Sequence, residues 1–316
     1  MDLAIQTPLQ HASFAALRDV WQAADALGFR AAFTYDHLVA LNPGQRPGTG
    51  GAVPDGPQLE GWVALAALAA GTRRLEVGTL VTGVTYRHPA MLAKMAVTLD
   101  QLTDGRAILG VGAAWHEAEH AMFGIPFPPA GERMGRLDET LTLFARLCRE
   151  DRVDFAGRFY ELRDAVFEPK PVRAGGIPVL VGGSGARLRT IAARHADLFN
   201  TFCAPGEWED LNADLDGRLA AAGRRPDELE RTAFVACELS GDRARDDELV
   251  AEFRRTRGGT EAEVRRRAVL GDPDAMVDVL RAYAAAGVDL AVLGLRPPFD
   301  VSGLERFALE VVPRLA

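Results

Sequence analysis

Short apolar runs alternate along the chain with longer stretches in which apolar residues recur every three or four positions. The short runs are typical of strands buried on both faces, and the longer stretches are typical of amphipathic helices. The run IPVLVGG at 177–183 is the clearest such strand. The pattern predicts eight strands, at 3–7, 30–35, 75–83, 106–112, 177–183, 196–202, 232–239 and 288–295.

Helical sequence follows the predicted strands. After the first strand, one helical face carries Phe14, Leu17, Trp21 and Ala24, and Gly28 is suited to end that helix. Strands that alternate with helices predict an α/β protein. Eight such units predict a closed (β/α)8 TIM barrel rather than an open sheet.

Three segments depart from this repeat. Residues 153–168 predict a β-hairpin insertion, and the polar residues 240–272 predict a second insertion. The Gly- and Pro-rich segment 42–57 is long for a connection, so we expect it to serve as a lid or binding loop. None of these segments is a linker between two halves, and a single domain over 1–316 is expected.

Composition narrows the possible partners and compartments. The net charge is -8 and no block of Lys and Arg stands out, so nucleic acid is not an expected partner. The longest apolar runs are far shorter than the roughly 20 residues of a membrane span, so no membrane association is expected. Cys148, Cys203 and Cys237 are far apart in sequence, and no secretion signal leads the chain, which indicates a reducing cytoplasm.

The active site of such a barrel lies at the carboxyl ends of the strands. The predicted strands end at or near glycines and polar residues, in the stretches Tyr35-Asp36-His37, Thr79-Leu80-Val81-Thr82-Gly83, Gly110-Val111-Gly112-Ala113-Ala114-Trp115-His116, Gly182-Gly183-Ser184-Gly185, Asn200-Thr201 and Gly294-Leu295-Arg296. Asp36-His37 joins a carboxylate to a side chain that changes charge near neutral pH, which is suited to proton transfer. The alternative is that Asp36 caps a turn and His37 fills space.

The glycine-rich turn at 182–185 leads into a predicted helix. Free backbone N–H groups at such a turn, together with the helix dipole, form a site for a phosphate group. The alternative is a tight turn that binds nothing.

Residues 116–120, HEAEH, match the H-E-x-x-H pattern of zinc peptidases. In that hypothesis His116 and His120 bind zinc, Glu117 is the general base and Glu139 supplies a third ligand. The pattern follows a buried strand and a glycine turn, which is not the setting of a zinc peptidase. We therefore expect no metal. Glu117, Glu119 and His120 are expected on a solvated helix face, and His116 is expected to face the pocket.

Several stretches together carry a family resemblance. They are TYDHL, VGTLVTGVTYRHPAMLAKMAVTLDQLTDGR, LGVGAAWHEAEHAMFGIPFP, VLVGGSGARLRTIAARHADLFN and DPDAMVDVLRAYAAAGVDL, in the order that the family has them. The chain resembles the bacterial luciferase-like oxidoreductases, and within them the group that uses the deazaflavin coenzyme F420. The resemblance implies a (β/α)8 barrel with insertions.

The resemblance also implies roles for the strand ends. Asp36 and His37 would lie beside the deazaflavin ring, where His37 gives or takes the proton that accompanies hydride transfer. A non-proline cis peptide at Leu80-Val81, next to Thr79, would support the ring from behind. Gly112, Ala113, Gly182, Gly183, Ser184 and Gly185 would complete the cofactor site, and the four residues of the glycine turn would bind its phosphate.

One departure bears on the substrate. The sugar-phosphate dehydrogenases of the family carry a Glu where this chain has Ala113, so reduction of an activated double bond is favoured over alcohol oxidation. Residues expected to line the substrate pocket are Tyr35, Trp115, His116, Asn200 and Phe202, with Phe33 as a wall or as core. Arg87, His88 and Lys94 are expected either to meet the acidic tail of the cofactor or to be exposed residues at a helix start.

Three other functions stay open at this stage. The chain is predicted to transfer a hydride between coenzyme F420 and a small organic molecule, but an FMN-dependent monooxygenase of the same superfamily would use the same phosphate turn. A non-catalytic cofactor-binding barrel and a zinc hydrolase are the remaining alternatives. A homodimer is expected by analogy with related barrels.

Overall fold

The computed structural model describes residues 1–42 and 53–315. The strands in chain order are β1 (Asp2–Gln6), β2 (Ala31–Thr34), β3 (Glu76–Thr79), β4 (Thr82–Gly83), β5 (Ala107–Gly112), β6 (Arg152–Ala156), β7 (Glu161–Val166), β8 (Val179–Gly182), β9 (Leu198–Thr201), β10 (Glu230–Ala236) and β11 (Leu290–Gly294). The helices are α1 (Phe14–Leu27), α2 (Gly61–Ala70), α3 (Pro89–Leu102), α4 (Glu117–Met122), α5 (Ala130–Arg149), α6 (Ala186–His195), α7 (Trp208–Ala221), α8 (Arg243–Arg257), α9 (Glu261–Arg265), α10 (Pro273–Ala285) and α11 (Val301–Glu310).

The large sheet closes on itself. Its order is β3-β2-β1-β11-β10-β9-β8-β5-β4, and a further pairing of β3 with β5 completes the ring. Every neighbouring pair is parallel. Because β3 and β4 occupy one position in the ring, the barrel has eight positions. The predicted (β/α)8 barrel is confirmed.

Side chains of alternate strand positions fill the barrel interior. Phe33, Ile108 and Val292 belong to this interior cluster, and Leu80 and Val81 pack against it. A second apolar layer lies between the strands and the surrounding helices and includes the buried rings of Trp21 and Trp208. Phe33 is therefore core and not a pocket wall.

The first helix shows how local sequence sets the boundaries. The Ser13 hydroxyl accepts a hydrogen bond from the Ala16 amide (3.2 Å) at the start of α1, and Gly28 ends it in the left-handed region with φ of 86°. Leu17 and Trp21 are buried against the strands, and the Trp21 indole N–H donates to the Thr7 hydroxyl (2.9 Å).

The third predicted strand is interrupted. The structure has a cis peptide between Leu80 and Val81, which separates β3 from β4, so the cis bond expected there is present. The Leu80 amide donates to the Thr34 carbonyl (2.6 Å) and leaves the regular ladder at this point. The result is a bulge at the end of a barrel strand.

The two predicted insertions are also present. β6 and β7 form an antiparallel hairpin over 152–166, and Glu139 of α5 accepts hydrogen bonds from the amides of its turn. The polar segment 240–272 forms helices α8 and α9. Within residues 1–42 and 53–315, no helix combines the length and the apolar character that a membrane crossing requires.

Candidate active site

The carboxyl ends of the barrel strands form one face of the molecule, which we call the mouth. Around the ring β2, β3, β5 and β8 are consecutive neighbours. The predicted residues at the ends of these strands therefore occupy one continuous arc of the mouth. The structure brings together Asp36-His37, Leu80-Val81, the residues after Gly112 and the glycine turn at 182–185.

Glycines make room for the bulge at Leu80-Val81. A Cβ atom on Gly182 would lie 2.7 Å from Val81 Cγ1, and one on Gly112 would lie 2.8 Å from Val81 Cγ2. Larger residues would therefore displace Val81. The two glycines, at the ends of β5 and β8, let the bulge lie against both strands.

A buried hydrogen-bond chain lies behind the bulge. The Thr79 hydroxyl donates to the Gly110 carbonyl (2.8 Å), and the Thr82 hydroxyl is 3.0 Å from Asp36 Oδ2. The indole N–H of Trp62 donates to the same Thr82 hydroxyl (2.8 Å). Thr79 thus supports the bulge from within the barrel wall.

Asp36 is the centre of a buried ion pair. Arg87 reaches both of its carboxylate oxygens, and the same guanidinium donates to Glu60 Oε1 (2.6 Å). Burial lowers the pKa of Arg87, but the pairs with Asp36 and Glu60 raise it overall. With Arg87 and Thr82 as partners, the Asp36 carboxylate is suited to holding the end of β2 and not to exchanging protons.

The basic side chains that follow the third strand, Arg87, His88 and Lys94, are engaged by groups of the protein. Arg87 pairs with Asp36 and Glu60, the His88 ring accepts a hydrogen bond from the Ala90 amide at the start of α3, and Lys94 Nζ donates to the Glu168 carbonyl (2.5 Å). His88 is exposed at the start of α3, as the second alternative expected, whereas Arg87 and Lys94 are partly buried.

His37 is buried at the end of β2 with aromatic neighbours. Its ring meets those of Tyr35 and Trp115 edge-on, at centroid distances of 5.4 and 5.5 Å. Its Nδ1 atom is 2.9 Å from Glu119 Oε2. Within the described residues, Nε2 has no hydrogen-bond partner.

Glu119 corrects the expectation of a solvated helix face. It is fully buried, and its carboxylate accepts hydrogen bonds from the amides of Leu38 and Val39 and from the Tyr86 hydroxyl as well as contacting His37. Burial raises the pKa of Glu119, but the hydrogen bonds from His37 and Tyr86 and the amide of Leu38 lower it to about 2. The prediction for Glu119 was wrong because its partners lie 33 to 82 positions away in sequence.

His120 is also buried, contrary to prediction, whereas Glu117 is exposed as predicted. His120 Nε2 is 2.7 Å from the Thr85 hydroxyl, and Nδ1 is 2.8 Å from the His116 carbonyl oxygen. Both nitrogens are thus engaged, and the exposed Glu117 does not face them as a general base. This is not the arrangement of a zinc peptidase.

A different group of three could reach one metal ion. Ligand atoms of His37, His116 and Glu119 lie within 4.8 Å of one another. The Glu119 carboxylate, however, already has contacts to two backbone amides, a hydroxyl and an imidazole. Burial lowers the pKa of His116, which favours its neutral form. The contacts are those of a hydrogen-bonded cluster around His37.

The glycine turn is open to solvent. Gly183 and Gly185 have φ of 134° and 101°, a region that favours glycine, and residues 183–187 are exposed. α6 begins directly afterwards, and its cap residue, Gly185, makes no side-chain hydrogen bond to the first amides of the helix. An exposed, uncapped helix start of this kind suits a phosphate group.

The remaining predicted pocket residues are spread around the mouth. Trp115 and His116 adjoin His37. The backbone carbonyl of Ala113 accepts a hydrogen bond from Arg133 Nε (3.0 Å). Asn200 is buried and donates to the Thr232 hydroxyl (2.8 Å). It therefore belongs to the barrel wall.

Phe202 lies against the second insertion. Its ring packs on Phe234 and Phe253, and the Arg257 guanidinium stacks over it at 3.8 Å. Arg296, at the end of β11, pairs with Glu252 of α8 (2.8 Å) and joins the same insertion to the mouth. The sequence pattern did not predict the pair of Glu252 and Arg296, because its members are 44 positions apart.

Most of the predicted lid, residues 43–52, lies outside the described residues. Its flanks are held beside His37. Gln10 bonds the backbone of Leu41 on one side, and Gln58 Nε2 donates to the His37 carbonyl (3.1 Å) on the other. The Tyr35 hydroxyl donates to the same Gln10 side chain (2.7 Å).

The opposite face of the barrel has an open depression of about 870 Å³. Arg30 lies in it and pairs with Asp2, Glu76 and Glu230. This face contains the amino ends of the strands, where paired charges stabilise a barrel. The chemistry is therefore assigned to the mouth.

Comparison with known proteins identifies relatives of the chain by sequence and by fold. A profile of the luciferase-like monooxygenase family matches residues 1–290. The F420-dependent glucose-6-phosphate dehydrogenase of Intrasporangium calvum is 30% identical over 323 residues, which cover 92% of each chain. In structure, an F420-dependent secondary alcohol dehydrogenase superposes with a TM-score of 0.84 at 20% identity, covering 100% of this chain and 99% of that one. A riboflavin lyase with bound modified FMN gives 0.79 at 18% identity, with 100% and 91% covered.

Proposed function

The chain belongs to the luciferase-like monooxygenase family, and we propose from this that it is an oxidoreductase that transfers a hydride between coenzyme F420 and a small organic substrate. The relatives across most of its length are named as F420-dependent enzymes. The observation that carries the proposal is the shared arc of the mouth, in which a buried histidine and an open phosphate turn lie on neighbouring strand ends.

The residues of the arc fit such a cofactor. The exposed amides after Gly183 and the uncapped start of α6 would hold its phosphate, and the Leu80-Val81 bulge would support its ring. Gly112 and Gly182 leave room for the Val81 side chain of the bulge, because a Cβ on either would lie 2.7 to 2.8 Å from it. When bound, the deazaflavin supplies the hydride chemistry, and the protein supplies position and the exclusion of water.

His37 is assigned the proton that accompanies hydride transfer. Its Nδ1 atom is held by Glu119, whereas Nε2 has no partner within the described residues. The rings of Tyr35 and Trp115 flank it and limit the access of water. Asp36, which was expected to share this role, is instead held by Arg87 and positions the end of β2.

The substrate is proposed to be an electrophile such as an activated double bond. Ala113 stands where the family resemblance would put a Glu in sugar-phosphate dehydrogenases, and its methyl group cannot exchange a proton with an alcohol. Glucose 6-phosphate, the substrate in the name of the relatives, is therefore expected to be a poor substrate here.

Equilibrium binding separates the cofactor assignments. The purified protein is titrated with coenzyme F420 and, in parallel, with FMN, and binding is followed by fluorescence. We expect saturable binding of coenzyme F420 and weaker binding of FMN. Tight FMN binding without F420 binding would favour the flavin monooxygenase, and binding without turnover of any substrate would favour a non-catalytic barrel.

Turnover then tests His37. Reduced coenzyme F420 is offered with a panel of enones, and oxidised coenzyme with glucose 6-phosphate. We expect turnover of enones, and a loss of about 10²- to 10⁴-fold in kcat for His37→Asn with cofactor affinity retained. Unchanged turnover in His37→Asn would remove the proton role from His37.

The assembly and compartment are proposed on separate grounds. α2 contains no charged side chain, and its outward residues Val63, Ala67 and Ala70 are exposed, so we propose that this face joins a second copy of the chain. The three cysteines are unpaired, and burial raises the pKa of the Cys148 and Cys203 thiols, to about 11 and about 12. Unpaired, unreactive thiols support a reducing cytoplasm.

A further inference from the structure

We propose that Glu119 is the positioning residue for His37: it fixes the Nδ1–H form of the ring and so leaves Nε2 as the atom that exchanges the proton. This inference rests on the proposed function for its catalytic meaning. The contact between the two side chains is a property of the fold and can be tested without any cofactor.

The carboxylate is held at both oxygens. Oε1 accepts from the amides of Leu38 (a short contact) and Val39 (3.2 Å), which directly follow His37 in the chain. Oε2 accepts from the Tyr86 hydroxyl (2.6 Å) and lies 2.9 Å from His37 Nδ1. Rotation of the carboxylate would break all of these contacts, so its direction toward His37 is fixed.

The charge state of Glu119 decides which ring nitrogen carries the proton. Burial works against ionisation of Glu119, but two backbone amides and the Tyr86 hydroxyl donate to it and lower its pKa, so it is a carboxylate near neutral pH. An ionised carboxylate can only accept hydrogen bonds. The hydrogen at this contact therefore belongs to His37 Nδ1, and neutral His37 presents Nε2 as a base.

No other carboxylate takes this place beside His37 in the described part of the chain. The ring is faced by Tyr35 from β2 and by Trp115 and His116 from the segment after β5, and Tyr86 adjoins through Glu119. The neighbouring Asp36 is neutralised by Arg87. Glu119 is thus the negative charge that stabilises the protonated ring.

Glu119 cannot itself exchange protons with a substrate. It is fully buried, and both oxygens are occupied by donors from the protein. It therefore does not replace the Glu that is absent at Ala113. Its effect on the reaction must pass through His37.

The test compares Glu119→Gln with Glu117→Gln, an exposed residue on the same helix. For Glu119→Gln we expect kcat to fall about 10- to 100-fold, the range for lost histidine partners in metal sites. KM and the affinity for coenzyme F420 should change less than about twofold. The pH profile of kcat should also change, because a neutral amide no longer places a negative charge beside the ring. Glu117→Gln should match the wild type.

A second measurement needs no cofactor. Nitrogen-15 chemical shifts of the histidines, with His37→Asn to identify the signal, should show Nδ1 protonated and Nε2 unprotonated in the neutral ring. In Glu119→Gln this preference should weaken. Tyr86→Phe keeps the carboxylate and should shift the pH profile less than Glu119→Gln does.

The result that would reject the proposed function differs from the results that would overturn the role of Glu119. Wild-type protein without F420-dependent turnover would reject the proposed function and leave the nitrogen-15 result to judge Glu119. An unprotonated Nδ1 in the wild type, or a Glu119→Gln variant with the wild-type kcat and pH profile, would overturn the inference. So would a Glu119→Gln variant that folds but loses coenzyme affinity in proportion to kcat.

Discussion

At the scale of single residues, Asp36 depends most directly on one partner. Its carboxylate is buried at the end of β2, and the Arg87 guanidinium lies against both of its oxygens. Removal of one member of a buried ion pair leaves an uncompensated charge, which costs about 3 to 5 kcal/mol. We therefore predict that Arg87→Met lowers the free energy of unfolding by an amount in this range, measured by urea denaturation.

Two controls separate charge from packing. Asp36→Asn added to Arg87→Met should recover part of the loss, because the unpaired charge is gone. Arg18→Met breaks a pair with Asp19 in which both side chains are about half exposed, and it should cost less than about 1 kcal/mol. Equal losses for Arg87→Met and Arg18→Met would mean that the buried pair contributes no special stability.

The sequence was sufficient to place those site residues whose location depends only on where a strand ends. His37, Trp115 and the turn at 182–185 were located because they end strands, and strand ends share one face of a barrel. Glu119 was missed because its burial depends on residues 33 to 82 positions away, across β2 and the segment after β4. A six-residue helix such as α4 has no periodicity long enough to indicate which side is covered.

At the scale of elements, the apolar runs predicted the barrel strands well and the insertions less well. Their type was clear because strands covered by helices are apolar throughout. The segment 240–272 was predicted only as a polar insertion, yet Leu249, Val250 and Phe253 follow a helical spacing and are buried in α8. The helical spacing of these apolar residues was present in the sequence, but the many arginines and acidic residues of the segment obscured it.

The glycine turn and the start of α6 form one element whose two properties can be separated. We predict that Ser184→Asp weakens the affinity for coenzyme F420 about tenfold or more, because the added carboxylate would oppose a phosphate there. The same charge beside a helix N-terminus is favourable for the helix. Thermal stability should therefore stay the same or rise while cofactor affinity falls, as measured by calorimetry and fluorescence titration.

Thr98→Asp is the matched control for this prediction. Thr98 is exposed within α3 and receives the same change in charge. Its cofactor affinity should stay within about twofold of the wild type. The deficit of Ser184→Asp should shrink at high salt, because exposed charges are screened. Equal affinities for the two variants would exclude the turn as the phosphate site.

At the scale of the whole molecule, one surface carries a stripe of exposed apolar residues. The outward face of α2 carries Val63, Ala67 and Ala70, at the spacing of a helical stripe. α3 packs beside α2 and exposes Met91. Val63 is 73% exposed and Met91 is 58% exposed, and each is the third residue of its helix. Uncharged small residues permit close approach of two copies about a twofold axis despite the net charge of -8.

We predict that the wild-type protein is a dimer in solution and that Val63→Glu with Met91→Glu makes it a monomer. Buried in such an interface, two glutamates per chain would lack partners and would oppose each other across the axis. Light scattering after size exclusion should give about twice 34.0 kDa for the wild type and 34.0 kDa for the variant.

Leu309→Glu, on α11 and 74% exposed, is the control and should remain dimeric. Because the mouth residues lie on the strand ends, the monomeric variant should still bind coenzyme F420. A wild-type monomer, or dissociation by Leu309→Glu alone, would assign the α2 face no role in assembly.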